Sequence, residues 1–394
     1  MFSIWWPAFL LPLAMVLGGV AGGVLPGGRK YRGPRGMLPS EEQREADRVF
    51  CRFLWQFGLV YAALAFMVMR TVRLVSLSGQ RWFLIGAVAV EIIGAALMVI
   101  PVERTLHALF GEDSIVTEQA PAKINLALLV GEKHPDGYHD VTSVMQSVSL
   151  CDTVTARRTS GGITLTCSDP TLACDETNLA YRAAALFFEE TGVEGGAALT
   201  LEKVIPMQAG LGGGSSDAAA VLRALRRLYA PDMPLEELER MAIRLGSDVP
   251  YCVRGATTLV EGRGEHLTQL PALPACWCVL CKPDIACPTG AMYGEIDRRG
   301  AHLTLDVQEM LRALERGDLA AVCALVGNVF EQVIDPESDI FTIRRRLTEL
   351  GADAACMSGS GSAVFGLFTK EETAQAAQEL LSQDYPRTFL AKTV

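Results

Sequence analysis

The sequence predicts a chain in two parts: an all-α membrane segment of about three helices, then a soluble portion that mixes strands and helices. Three observations predict this. Apolar residues crowd the first third, lifting mean hydropathy to +0.25. Downstream, strand-like runs such as INLALLV and TSVMQSVSL alternate with helix-like stretches such as TNLAYRAAALFFEETG. Between them lies one glycine-rich stretch, PMQAGLGGGSSDAAAV, which opens onto an Ala-rich run of strong helix propensity.

At 394 residues there is room for two or three domains. A net charge of -10, with no long basic run in the C-terminal two-thirds, excludes nucleic acid as the natural partner. Eleven cysteines scattered among apolar positions suit reduced core thiols. Cys276, Cys278 and Cys281 have the density of a zinc site, but alternation with Trp277, Val279 and Leu280 fits a buried strand. No metal site is expected there.

Residues 2–28 carry no charge, and two further apolar stretches follow. Spans are expected at about 4–26, 53–69 and 82–102, within a membrane region of residues 1–112. A signal peptide would carry its basic residues before the apolar stretch; here Arg29, Lys30, Arg32 and Arg35 come after it. The first loop also holds Arg44, Arg48 and Arg52, against Arg70, Arg73 and Arg81 in the second. The positive-inside rule then puts the first loop and everything after Val102 in the cytoplasm, with a lipid bilayer as partner, in the manner of a bacterial inner-membrane anchor. Glu91 falls near the middle of the third span, where a carboxyl is either functional, a helix-pairing group or a protonated neutral one. The loop GGRKYRGPRGMLPSEEQREADRVFCRFLW is similar to the small SdpI-like family of bacterial membrane proteins, a short match that implies no activity. A join of two reading frames is the alternative, since GEDSIVTEQAPAKIN could begin a soluble enzyme.

In the soluble portion, Lys123 and Asn125 lie two apart at the start of a strand and so share a face. HPDGYHD connects that strand to the next, Asp-Gly being a strong turn signal. LTLEKVIPMQAG is a strand leading into the glycines, of which four (Gly210, Gly212, Gly213 and Gly214) fall within five positions. Glycines allow the positive-φ turns that aim successive N–H groups at one point, and a helix N-terminus adds its own free N–H groups and dipole. Such a loop binds anions, most often phosphate; the plainer reading is a flexible loop before an N-capped helix. It lacks the Gly-Lys-Ser/Thr of a Walker A loop and the acidic ribose partner of a dinucleotide fold. Asp248 follows a helix stopped by Gly246, where a capping Asp is also common. Near the C-terminus, AACMSGSGSAVFGLF sets Gly359 and Gly361 between strand-like runs.

The pattern P-x-x-x-G-L-G-G-G-S-S from Pro206 to Ser216 resembles the phosphate loop of the GHMP kinases, small-molecule kinases acting on substrates such as galactose, homoserine and mevalonate. PAKINLAL, DGYHD and PTGAMY narrow the resemblance to the 4-diphosphocytidyl-2-C-methyl-D-erythritol kinases of the non-mevalonate isoprenoid route. The resemblance implies an α+β two-lobe fold, with a mixed-sheet ATP lobe over 116–269 and a ferredoxin-like lobe over 270–394. It implies ATP and Mg²⁺, with Pro206, Gly210, Leu211, Gly212, Gly213, Gly214, Ser215, Ser216, Lys203 and Asn178 on the nucleotide side. Lys123 would steady charge near the transferring phosphoryl group, and Asp248 would serve as general base. The substrate, a cytidine diphosphate-linked methylerythritol, would meet Asn125, Tyr138, His139, Thr289 and Tyr293, with the cytosine between the rings of Tyr138 and Tyr293 and its polar edge read by His139. GNVFEQV keeps Asn328 and Glu331 of a family motif but has Val329 where an aspartate is usual. A homodimer is among the assemblies considered. Rival readings are a GHMP kinase for homoserine or a mevalonate derivative, and a membrane sensor or scaffold whose kinase-like part only binds nucleotide.

Overall fold

The computed structural model describes residues 115–135 and 137–394. The spans expected at 4–26, 53–69 and 82–102, and Glu91 with them, lie outside the described residues. Among the described residues, no helix is long and apolar enough to cross a membrane.

Ile115–Lys133 (β1) and His139–Thr159 (β2) form a long antiparallel pair that sets Lys123 opposite Ser147 and Asn125 opposite Met145. The pairing runs well past the two apolar runs visible in the sequence. Its outer part is held by cross-strand polar contacts, such as the Thr117 and Thr155 hydroxyls 3.0 Å apart. Residues 122–128 of β1 are buried on both faces. Ala122, Ile124 and Leu126 enter the apolar core on one face, while Lys123 and Asn125 are enclosed on the other.

Gly162–Cys167 (β3), Gly196–Glu202 (β4), Thr257–Gly262 (β5), His266–Gln269 (β6) and Gly327–Asn328 (β8) complete the first sheet. Its order is β3-β4-β2-β1-β8, with β5 also paired to β2 and β6 beyond it. The β1/β8 and β3/β4 pairings are parallel and the others antiparallel, so the sheet is mixed. Leu179–Thr191 (α1), Gly213–Tyr229 (α2), Leu235–Ala242 (α3) and Val249–Arg254 (α4) share a core with it: Phe187, Leu222, Leu225 and Val249 meet Val154, Leu199 and Leu201.

Trp277–Cys281 (β7), Ala354–Met357 (β9), Val364–Phe368 (β10) and Thr388–Lys392 (β11) form a second, antiparallel sheet in the order β11-β7-β10-β9. That is the ferredoxin-like order, the last strand lying beside the first. Cys278 and Cys281 lie on opposite faces of β7, which is buried on both, so each joins a different apolar cluster, and burial pushes the Cys281 thiol up to about 11. Thr289–Arg299 (α5), Val307–Glu315 (α6), Leu319–Ala324 (α7), Asp339–Glu349 (α8) and Glu371–Ser382 (α9) belong to this half. Ile340, Ile343 and Leu347 of α8 and Ala374, Ala377 and Leu381 of α9 pack with Val279 and Phe368. β6 ends just before Leu270 and β7 opens the second sheet just after it, yet β8 returns to pair with β1. A shared apolar cluster then joins the halves: Ile124 and Leu126 of β1 with Leu280 of β7 and Phe365 of β10.

The two glycine-rich loops are hydrogen-bonded across the halves. Ser358 Oγ donates to Gly210 O at 3.0 Å, and Ala363 N donates to Ala209 O at 3.0 Å. Gly210 has φ +75°, and a Cβ there would sit 2.0 Å from Ser358 O. Gly210→Ala should therefore lower the unfolding free energy by about 2–4 kcal/mol in denaturant titration. Gly214→Ala, where a Cβ meets nothing within 4 Å, should change it by less than about 1 kcal/mol; equal losses would refute the docking argument.

Candidate active site

The mouth of α2 is built by its glycines. Gly212, the residue before the helix, is left-handed at φ +71°. The first N–H on the helical ladder is that of Ser216, which donates to Gly212 O at 2.8 Å. The N–H groups of Gly213, Gly214 and Ser215 thus have no acceptor within the helix. These residues line a cavity of about 1080 Å³, together with Pro206, Gly210, Leu211 and Gly212. Three N–H donors at the positive end of a helix dipole, facing a cavity, form an anion cradle. Ser215 faces the cavity, whereas the Ser216 hydroxyl donates to Pro121 O at 2.8 Å and is spent inside the fold.

Lys123 is 3% exposed. Its Nζ donates to Asn125 Oδ1 at 2.8 Å and lies 3.7 Å from Asp248 Oδ2. Its backbone N donates to Leu211 O at 2.9 Å, and a Cβ on Gly212 would come within 2.9 Å of its Cγ. The ammonium is therefore pinned at the rim of the cradle. Asp248 occupies the N-cap position of α4 but makes no side-chain cap bond, leaving its half-exposed carboxylate turned to the cavity. Asn125 also accepts from Gly359 N at 2.9 Å and donates to Ser143 Oγ at 2.8 Å. Buried and so employed, it acts as a strut under Lys123. Asn178 caps α1 through Ala180 N at 2.9 Å and donates to Ala173 O at 2.8 Å, lining the cavity from a helix start.

Lys203 also lines the cavity, but its ammonium is shared between Asp152 and Asp217, the latter at 2.6 Å. It lies 3.5 Å from where a Cβ on Gly213 would be, so this ion cluster sits directly behind the cradle. Burial alone would lower the Lys203 pKa; Asp217 and Asp152 overcome it and raise it. Asp152 is well supplied with donors, since the N–H groups of Val204 and Ile205 also reach it. Asp217 is not: its Oδ1 is buried and has no partner. Burial pushes its carboxyl up to about 7, with the neighbouring Asp152 adding to the shift against Lys203.

The remaining expected residues gather around a second wall. Tyr138 is 60% exposed, with the Arg263 guanidinium 5.0 Å from its ring centroid. Tyr293, on α5, stacks on His139 (centroids 5.1 Å, planes 24° apart) and meets Phe330 edge-on at 5.0 Å. Both tyrosines line the same cavity, though Tyr293 packs on His139 rather than against Tyr138. Thr289 Oγ1 is 3.0 Å from Ser360 Oγ, tying the start of α5 to the glycine loop between β9 and β10. Gly359 and Gly361 of that loop line the cavity as well. Asn328 braces it by donating to Met357 O and Gly359 O, both at 2.8 Å, and Glu331 accepts from Met357 N at 2.9 Å. Sequence reasoning gave no role to Asp152, Asp217 or Asp297. Asp297 was within reach, because it stands one helical turn after Tyr293 and so on the same face.

The Asp217 carboxyl makes a pH prediction. It is protonated in the fold below about pH 7 but ionises near 4 when unfolded. Its contribution to stability is full below the unfolded value and is lost as pH rises through the folded one. Unfolding free energy should therefore fall between pH 4 and 7 by up to about 1.4 kcal/mol per unit from this group. Asp217→Asn should remove that component in pH-resolved denaturant titrations; an unchanged slope would show that Asp217 is ionised throughout.

Comparison with known proteins agrees with this geometry. Residues 178–256 match the GHMP kinases N terminal domain, and residues 310–387 match the GHMP kinases C terminal domain. A 4-diphosphocytidyl-2-C-methyl-D-erythritol kinase from Exiguobacterium sibiricum is 44% identical over 259 residues, covering 65% of this chain and 90% of that protein. The protein of the same name from Geobacillus kaustophilus is 43% identical over 261 residues, covering 65% and 89%. A crystal structure of 4-(cytidine 5'-diphospho)-2C-methyl-D-erythritol kinase shares 36% identity at a TM-score of 0.61, covering 71% of this chain and 99% of that one. Homoserine kinase from Cytophaga hutchinsonii, 18% identical with a TM-score of 0.57 over 71% of this chain and 95% of its own, shares the fold. A cradle of amides, a lysine–aspartate pair beside it and relatives of this identity place the chain in the GHMP kinases, and among them in the 4-diphosphocytidyl-2-C-methyl-D-erythritol kinase family.

Proposed function

We propose that the enzyme transfers the γ-phosphoryl group of ATP to the 2-hydroxyl of 4-diphosphocytidyl-2-C-methyl-D-erythritol, giving the 2-phosphate and ADP, in the non-mevalonate route to isoprenoid precursors. The observation that carries this reading is the Lys123–Asp248 pair, 3.7 Å apart at the rim of the α2 cradle. Phosphoryl transfer asks a protein chiefly for positioning and charge stabilisation. The amides of Gly213, Gly214 and Ser215 take the polyphosphate. Asp248 accepts the proton of the attacking hydroxyl, and Lys123 stabilises charge on the transferring group. Among the described residues, no cluster of three or more His, Cys, Asp or Glu side chains could hold a metal. Mg²⁺ bound with the nucleotide would lend charge neutralisation to its phosphates, and the Ser215 hydroxyl, which lines the cavity, would help to hold it.

Tyr138, Tyr293 and His139 take the cytidine. An exposed tyrosine ring offers a flat face for a pyrimidine, and its neighbours offer a polar edge. We also propose that residues 1–112 anchor the enzyme to a bilayer with the kinase on the cytoplasmic side, supported by the uncharged stretch 2–28 and the Arg/Lys-rich loop after it. The residues that match the family models, 178–256 and 310–387, lie outside this region.

Asp248→Asn should lower kcat by about 10²- to 10⁴-fold in a coupled ADP-release assay, while the Kd for ATP stays within about threefold; near-native turnover would remove the base. Tyr138→Ala should raise KM for the cytidine substrate by about 5- to 150-fold, and an unchanged KM would exclude stacking. A chain starting at Val116 should keep the full-length kcat but leave the membrane fraction. Full-length protein that sediments with neither membranes nor vesicles would dispose of the anchor.

A further inference from the structure

The outer edge of β1 meets a strand only at Ala127 and Leu128, where β8 joins it. Ahead of that, over residues 119–123, its backbone groups are met from α2 and the loop before it. Gln119 O accepts from Arg223 Nη2 at 2.7 Å and Pro121 O accepts from Ser216 Oγ at 2.8 Å, while Lys123 N donates to Leu211 O at 2.9 Å. Alternate residues of a strand turn their backbone groups to the same edge. The three contacts therefore run in step along β1 and end on the buried lysine.

Arg223 also reaches a third element. Its Nη1 donates to Cys252 O at 2.6 Å, and its Nε donates to Glu118 Oε2 at 3.2 Å. Cys252 O lies in the last turn of α4, where carbonyls have no partner within the helix. The same residue's N–H donates to Asp248 O at 3.1 Å, so the guanidinium grips α4 one turn from the carboxylate that faces the cavity. Glu118 accepts from Arg227 Nη1 as well, at 2.8 Å, which fixes the carboxylate that orients the fork. One side chain thus links the helix of the cradle, the strand of Lys123 and the helix of Asp248.

We infer that Arg223 is a positioning residue for phosphoryl transfer: by holding β1 and α4 to α2 it sets the Asp248 carboxylate against the Lys123 ammonium. The inference rests on the reading of Asp248 as the base given above. Asp248 makes no side-chain cap bond, so its place follows from how α4 is seated. The other polar tie of α4, the paired bonds from Arg254 to Glu239 at 2.7 Å, holds it to α3 and leaves its setting against β1 to Arg223. Val249 and Val253 keep α4 in the apolar core, so loss of the guanidinium shifts the helix rather than unfolding it. Lysine keeps the charge but presents its donors from a single atom and cannot span acceptors on three elements.

The test is a double-mutant cycle read in kcat by ADP release. In the otherwise native enzyme, Arg223→Lys should lower kcat by about 10- to 100-fold. KM for ATP should stay within about twofold, because the cradle amides are untouched. In an Asp248→Asn background the same change should lower kcat by less than about threefold, since the carboxylate whose place it sets is already gone. A merely structural role would lower kcat by the same factor in both backgrounds and would overturn the inference, as would a native kcat in Arg223→Lys. Arg223→Gln, which also loses the fork, carries the cycle if the lysine variant does not fold. Failure of both to fold would assign the guanidinium to the fold itself and overturn the inference too. Equal losses on an Asp248→Asn enzyme that is itself crippled overturn this inference and leave the base standing; near-native turnover of Asp248→Asn alone removes both.

Discussion

The structure depends on the burial of one ammonium group. Lys123 sits in the most enclosed part of β1 with 3% of its surface exposed, and a charge removed from water must be matched by partners at hand. Its partners come from both near and far along the chain. Asn125 supplies an oxygen two residues away, Asp248 a carboxylate from the start of α4, and Leu211 a carbonyl that fixes the strand backbone. Two glycines are required by its bulk: a Cβ on Gly212 would strike the lysine stem at 2.9 Å, and one on Gly359 would come within 3.1 Å of Nζ. The three sequence motifs converge because each either solvates this charge or makes room for it.

Comparison with Lys203 shows how one fold assigns different work to two buried lysines. Lys203 lies between two carboxylates and has its charge satisfied from within. Lys123 has an amide oxygen and one half-exposed carboxylate at 3.7 Å, so its charge is still available to a phosphoryl oxygen. The Asp152–Lys203–Asp217 cluster nevertheless shapes the cradle electrostatically. With both carboxyls ionised it would carry a net negative charge behind a loop meant for polyphosphate. Burial holds the Asp217 carboxyl up at about 7, which lessens the negative charge behind the cradle.

The glycine-rich loop, the strand bearing Lys123 and Asn125, and the aromatic helix were legible because their signals are local: glycine spacing, period-2 alternation and helix propensity. What the sequence could not show is which polar groups are used up by the fold. Ser215 and Ser216 look alike in a string, yet only the bond from Ser216 to Pro121 O, nearly a hundred residues away, tells them apart. Lys203 read as a nucleotide contact; its capture by Asp152 depends on a strand pairing that sets Thr153 opposite Glu202. Asp248 was harder still. A capping role and a free carboxylate have the same sequence signature, and only the absent cap bond separates them. Asn328 and Glu331, on either side of Val329, are among the residues that brace the glycine loop between β9 and β10.

The two glycine loops also explain why the site belongs to the whole domain. Gly210, Gly212, Gly359 and Gly361 all have positive φ, conformations that a free loop samples but does not hold. They are held because each loop is the other's wall: Gly210 O accepts from Ser358 Oγ, Ala209 O accepts from Ala363 N, and Gly359 N donates to Asn125. An isolated first sheet would keep α2 and its free amides but would lose the contacts that set their direction. The second sheet, joined through Phe365 and Leu280 to the apolar face of β1, carries the Gly359–Gly361 loop to within hydrogen-bonding distance of the loop before α2. Phosphate cradle and interlobe packing are therefore one cooperative unit, in which the shared core positions the amides and the amides position the ammonium.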